Sequence, residues 1–249
     1  MNAIFMGPKL KVKRADQHIS QLNELLNTFI KTDFYRLHIE ENPDTGVNVL
    51  KFEMTKPLPE EIPLILGDAI HNLRAALDLM ACEIVTLSGG TPSKWTYFPI
   101  RDTKEELEAT LKGGEIKVAG ADIVTLILDV IQPYKGGNAP LCALHSLDIA
   151  DKHRLLLPVA SVAALTNVNG KAGGAIFKNC TFAVGEGGIL NILGMPGKFE
   201  FQGYGKPAIA VSFDKGQPLE GQPVIPTLHQ LSQVVLGVIQ TVEKAFLAR

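Results

Sequence analysis

Residues 60–87 read EEIPLILGDAIHNLRAALDLMACEIVTL. Leu66, Ile70, Leu73, Leu77, Met80 and Ile84 step along it by three and four, the spacing that lines one face of a helix. Gly89-Gly90 follow, where a helix ends. A helix this long with one continuous apolar stripe needs other helices to cover it, so the stretch sets a helical bundle at the centre of the chain.

Upstream, Ile19, Leu22, Leu26, Phe29 and Ile30 predict an amphipathic helix over 15–30. Residues 34–41 and 47–54 have strand character: Tyr35, Leu37 and Ile39 alternate with Arg36, His38 and Glu40. Asn42-Pro43-Asp44-Thr45-Gly46 between them is turn chemistry, which makes 34–54 a β-hairpin. Pro57 and Pro59 stop the second strand. Downstream come a short apolar segment at 95–100, a charged helix over 103–111, an apolar helix over 121–131 that stops before Pro133, and a helix over 139–154 with Pro140 in its first turn.

After Pro158 the texture changes. Residues 159–168, 175–184, 188–193, 199–202 and 208–213 are short, rich in β formers and separated by glycines, which predicts a meander or curled antiparallel sheet. Gly203-Tyr204-Gly205-Lys206 reads as a hairpin turn. Leu228, Leu231, Val235, Val238 and Val242 give a closing helix over 226–247 one apolar face, to pack within the chain or on a second copy as a homodimer. The expected class is α+β, one domain over 1–249. It has a mainly helical part (1–156), a β-rich part (157–222) and a C-terminal helix (223–249).

The 249 residues are 46% apolar and 20% charged, with a net charge of −2. Near-zero charge argues against a nucleic-acid partner, because such binders concentrate Lys and Arg. The one basic cluster, Lys9, Lys11, Lys13 and Arg14, reads as a solvated strand or tail. Cys82, Cys142 and Cys180 are odd in number and widely spaced, unlike a disulfide framework, so a cytoplasmic setting is expected. The first six residues are too short for a secretory apolar segment, and no window has the roughly 20 apolar residues that span a bilayer.

Two helices carry the chemistry. His71, Arg74 and Asp78 are spaced i, i+3, i+7, as are His145, Asp148 and Lys152, so each set shares a helix face. Each row lies about 100° from its helix's apolar stripe, at the margin of the core. The charges are complementary: Arg74 for Asp148 or Asp151, Asp78 for Lys152 or Arg154. Such pairs also serve to fix the register of two helices. Asp151 continues the Leu144 and Leu147 stripe and is expected to be buried and paired. Cys142, one turn from His145, is either a nucleophile or an inert buried thiol. No G-x-S-x-G elbow, Walker A loop, helix-opening G-x-G-x-x-G or H-E-x-x-H is present.

The sequences GDAIHNLRAALD and LHSLDIADKHRLL resemble those of an uncharacterised group of bacterial proteins with a GD-x-x-HNLR-x-ALD helix and a later LH-x-LD-x-x-DKHR helix. That resemblance covers about residues 58–156 and implies no particular reaction. A looser similarity is to helical HEPN ribonucleases, which also place His and Arg on a bundle helix. Their Arg precedes the His, whereas here His71 precedes Arg74.

Two functions are consistent with these rows. The first is a hydrolase of a small polar substrate. His71, His145, Asp148 and Asp151 are then the acid–base groups, and Arg74, Lys152, His153 and Arg154 the substrate-binding cations. It works with no cofactor, or with a divalent metal for which His71, Asp78, His145 and Asp148 are the candidate ligands. The second is a non-catalytic binding or interaction protein of a mobile-element or defence locus, in which the rows are structural.

Overall fold

The computed structural model describes residues 4–41, 48–156, 158–172, 175–183, 189–191, 199–203 and 206–249. The chain is α+β and divides into two compact units, one of Met1–Glu24, Glu61–Leu157 and Phe213–Arg249, the other of Leu25–Glu60 and Pro158–Ser212.

The first unit is helical. Its axis is α2 (Glu61–Leu87), whose predicted stripe of Leu66, Ile70, Leu73, Leu77, Met80 and Ile84 is fully buried. Burying each such side chain contributes about 1.5–3 kcal/mol. The helix ends as its glycines require: Gly89 adopts a φ of 81°, and the Gly90 N–H returns to the Val85 carbonyl at 2.9 Å. The first helix, α1 (Met6–Ile30), begins much earlier than its predicted start at residue 15. Val12, Ala15, Ile19 and Leu22 form one buried row, and Pro8 is tolerated because it lies in the first turn. The basic cluster is therefore helical and not a strand or tail. Lys9 pairs with Glu243 at 2.6 Å, and Lys11 reaches Asn72 at 3.3 Å.

The α3 helix (Lys104–Gly113) is capped by Thr103, whose hydroxyl accepts the Glu106 N–H, while Glu106 Oε2 accepts the Asp102 N–H. The predicted helix over 121–131 is α-helical only in α4 (Ala121–Thr125). It widens to π turns over Leu126–Ile131 and stops at left-handed Gln132. Asn138 caps α5 (Ala139–His153), and the closing helix α6 spans Val224–Leu247. Leu228, Leu231, Val235, Val238 and Val242 of α6 are all buried within this chain, so the stripe proposed for a homodimer already has its cover.

The second unit holds two antiparallel sheets. In one, β1 (Tyr35–Glu41) pairs with β2 (Asn48–Met54), with Tyr35 opposite Met54 and Glu41 opposite Asn48. The other is built around the long β3 (Pro158–Ala172), which pairs with β4 (Ala175–Ala183), β6 (Phe199–Gly203) and β7 (Lys206–Phe213). The β3–β4 register slips between Leu165 and Val168, where Asn167 takes a φ of 59°. One strand departs from the expected meander. β5 (Ile189–Asn191) joins the hairpin, with Leu190 opposite Leu50. The predicted turn at 42–46 lies outside the described residues, as do 47, 184, 188 and 192–193 of the predicted strands and 204–205 of the glycine turn. Among the described residues, no helix is long and apolar enough to cross a membrane.

Candidate functional site

The predicted rows lie on α2 and α5, which pack together in the helical unit. Their close approach depends on Gly67: a Cβ there would sit 2.6 Å from Asp151 Oδ2. Side chains from both helices build a polar seam along the contact.

Arg74 anchors the seam. Its side chain is only 7% exposed, and Nη2 donates to Asp78 Oδ1 and to the Phe98 carbonyl, each at 2.8 Å. Asp78 Oδ1 also accepts the Phe98 N–H at 2.9 Å. The pair thus clamps the backbone of the segment between α2 and α3, whose Phe98 ring is fully buried. Burial pushes the Asp78 carboxyl up, with Arg74 opposing. Asp148, 4% exposed, is the second centre. Oδ2 accepts Lys152 Nζ at 2.5 Å, and Oδ1 lies 3.3 Å from His71 Nδ1. The cross-helix ion pairs anticipated for Arg74 and Asp78 do not form as direct contacts. Each charge takes the partner four residues along its own helix, the shortest helical reach. His71–Asp148 is the contact that crosses.

His145 is set apart from these pairs. It is half-buried, and its Nδ1 is buried with no hydrogen-bond partner, as is Arg74 Nη1. Burial pushes its pKa down, Arg74 adds to this, and Asp148 opposes, so the imidazole is held neutral at neutral pH. His145 lines a cavity of about 250 Å³ together with Cys142 and Ser146 of α5, Arg101 and Asp102, Glu106 of α3, and Lys135. Burial raises the Cys142 thiol, which makes it a poor nucleophile. A second cavity of about 70 Å³ lies by Trp95, Tyr97 and Glu115, away from both histidine rows.

The remaining predicted residues are dispersed. Asp151 is half-buried against Gly67 and, among the described residues, forms no hydrogen bond or ion pair, contrary to the expected buried pairing. Its carboxyl is pushed up by burial and then by Asp148, with His71 opposing. His153 and Arg154 are exposed, and Arg154 donates to the Gly216 carbonyl at 3.0 Å. Among the described residues, no group of three His, Cys, Asp or Glu side chains is placed to hold a metal ion, and of the four candidate ligands His71 and Asp148 are the pair within hydrogen-bond distance.

Sequence reasoning missed Arg101, Asp102, Glu106, Lys135 and Ser146. The cap at Thr103–Glu106 and the glycine loop before Asn138 were visible signals of two chain reversals. Nothing local indicated that they converge on α5. Comparison of the chain with protein-family models, with curated proteins and with solved structures finds no match in any of the three.

Proposed function

We propose that this protein is a hydrolase of a small polar substrate, working in the cavity at His145. One observation carries the reading: a half-buried histidine, held neutral by burial and by Arg74, lines a cavity of about 250 Å³ rich in polar side chains. A neutral imidazole is the form a general base needs. In the reaction, His145 takes a proton from water as the water oxygen bonds to the electrophilic carbon or phosphorus. The same proton then passes to the leaving group as the scissile bond breaks. Water and substrate become two products, and His145 returns to its starting state. Asp148 raises the proton affinity of His145 and so stabilises the imidazolium formed on the way. Arg101, on the cavity wall, supplies a cation for a negatively charged group of the substrate. Arg74 and Asp78 are positioning residues, because they hold the segment that carries Arg101.

The binding-protein reading draws support from the Arg74–Asp78 clamp, which has a structural purpose without catalysis. A screen of the purified protein against ester, amide, glycoside and phosphoester panels separates the two. Turnover of one class is expected, falling about 10²–10⁴-fold in His145→Gln with little change in melting temperature. No turnover in any class, or full turnover in the variant, removes the hydrolase reading.

A further inference from the structure

The cavity walls carry four charges, and two of them cancel. Lys135 Nζ pairs with Asp102 Oδ1 at 2.8 Å. The other two are Arg101 and Glu106. Arg101 is half-buried and held by neutral groups alone: Nε donates to the Thr110 hydroxyl at 2.9 Å, Nη1 to the Ile100 carbonyl at 2.9 Å and Nη2 to the Tyr97 hydroxyl at 3.1 Å. The Tyr97 ring also lies 5.6 Å from the guanidinium carbon. These contacts fix the guanidinium in place without neutralising it, and they leave two of its five N–H groups for a ligand. Glu106 accepts the Asp102 N–H through Oε2 at 3.2 Å, which orients its carboxylate, and the nearby Lys135 charge is given to Asp102 in a direct pair. Among the described residues, neither Arg101 nor Glu106 forms an ion pair. The cavity therefore presents one preorganised cation and one oriented anion, beside a neutral His145.

We infer that this cavity binds a small zwitterion, its carboxylate on Arg101 and its ammonium on Glu106. The inference rests on the cavity being the working site proposed above, and it names the substrate class. A volume of about 250 Å³ suits a compact metabolite, since drug-sized ligands occupy about 300–1,000 Å³. The guanidinium reads a carboxylate through paired N–H donors, while Glu106 and the Lys135–Asp102 pair disfavour a ligand with excess negative charge.

Isothermal titration calorimetry of the full chain tests this with ω-amino acids from glycine to 6-aminohexanoate, with butyrate and butylammonium as single-ended controls. At least one zwitterion is expected to bind about tenfold or more tightly than either control. Glu106→Gln keeps an acceptor for the Asp102 N–H, so the fold is retained. It is expected to weaken the zwitterion about tenfold and to leave butyrate as tightly bound or tighter. Equal binding of butyrate and the best zwitterion, no binding of any zwitterion, or an unchanged affinity in Glu106→Gln overturns the inference. Binding is measured without turnover. A protein that binds zwitterions but hydrolyses nothing loses only the hydrolase reading. One that hydrolyses substrates bearing a lone carboxylate as well as zwitterionic ones loses only this inference.

Discussion

His71 and His145 begin rows of identical spacing on two packed helices, yet they end in opposite situations. His71 has a carboxylate partner at 3.3 Å, is 59% exposed, and lines neither cavity. His145 lines a cavity but has a buried Nδ1 with no partner. The middle residue of each row makes the difference. Arg74 bends along its own helix to Asp78 and to Phe98, leaving His71 exposed, and Asp148 reaches across to it. Asp148 takes Lys152 along its own helix, and the pKa of His145 is lowered first by burial and then by the Arg74 charge. Equal spacing therefore places equal groups on a face, but the neighbours supplied by each helix decide which histidine meets a carboxylate and which lines a cavity.

The largest effect is expected from Arg74, the residue that shapes both ends. Arg74→Met leaves Asp78 without its cation and the Phe98 carbonyl without its donor. A loss of about 3 kcal/mol is expected in urea unfolding. Removing this charge also raises the titration midpoint of His145, read by NMR, because Arg74 is the second cause of its depression after burial. A stability loss without that upward movement separates the clamp from the cavity and breaks the contrast drawn here.

The bundle was legible in the sequence because the information is local. Every residue of the α2 stripe is buried, and the Asn138 cap and Gly89 terminus lie where turn chemistry puts them. The early start of α1 was obscured because Lys9, Lys11, Lys13 and Arg14 crowd the segment and Gly7-Pro8 mimics a break. The buried row from Val12 continues straight through it. The pairing of β5 with β2 joins residues far apart in the chain, which a period-two pattern does not encode. The site was half legible for the same reason. Helical periodicity put His71, His145 and Asp148 at the α2–α5 contact. The cavity depends on Arg101, Glu106 and Lys135, which come from two other stretches of the chain.

A smaller effect tests the close approach at the His71 end. In Gly67→Ala the new methyl meets the Asp151 carboxylate at 2.6 Å, which offsets the roughly 1 kcal/mol that alanine gains over glycine in a helix. A neutral or destabilised variant is expected. In an Asp151→Ala background the same change turns stabilising by up to about 1 kcal/mol. If Gly67→Ala stabilises the otherwise unaltered protein as much as the Asp151→Ala background, Asp151 does not occupy the space Gly67 leaves. The two helices are then not held at the distance that brings Asp148 to His71.

The smallest effect is the pH dependence, and it falls on the cavity end. The folded protein holds His145 below its ordinary value of 6.5, first through burial. The unfolded chain therefore binds more protons in the window just below 6.5. The contribution of His145 to stability is fully present above that value and is lost as pH falls toward the folded pKa. Asp78 and Asp151 act in the opposite sense. Their folded values are raised above 3.8, so their contributions are present below it and are lost as pH rises through the folded values. On acidification from neutrality the two kinds of group pull against each other, and the histidine is best read in the upper window. Urea midpoints are expected to fall between about pH 7 and pH 6 and to fall less in His145→Gln. An unchanged slope in that variant means that the His145 imidazole is as readily protonated in the fold as in the open chain. Burial at the cavity would then not hold it neutral, and the base proposed at His145 would lose the form on which it depends.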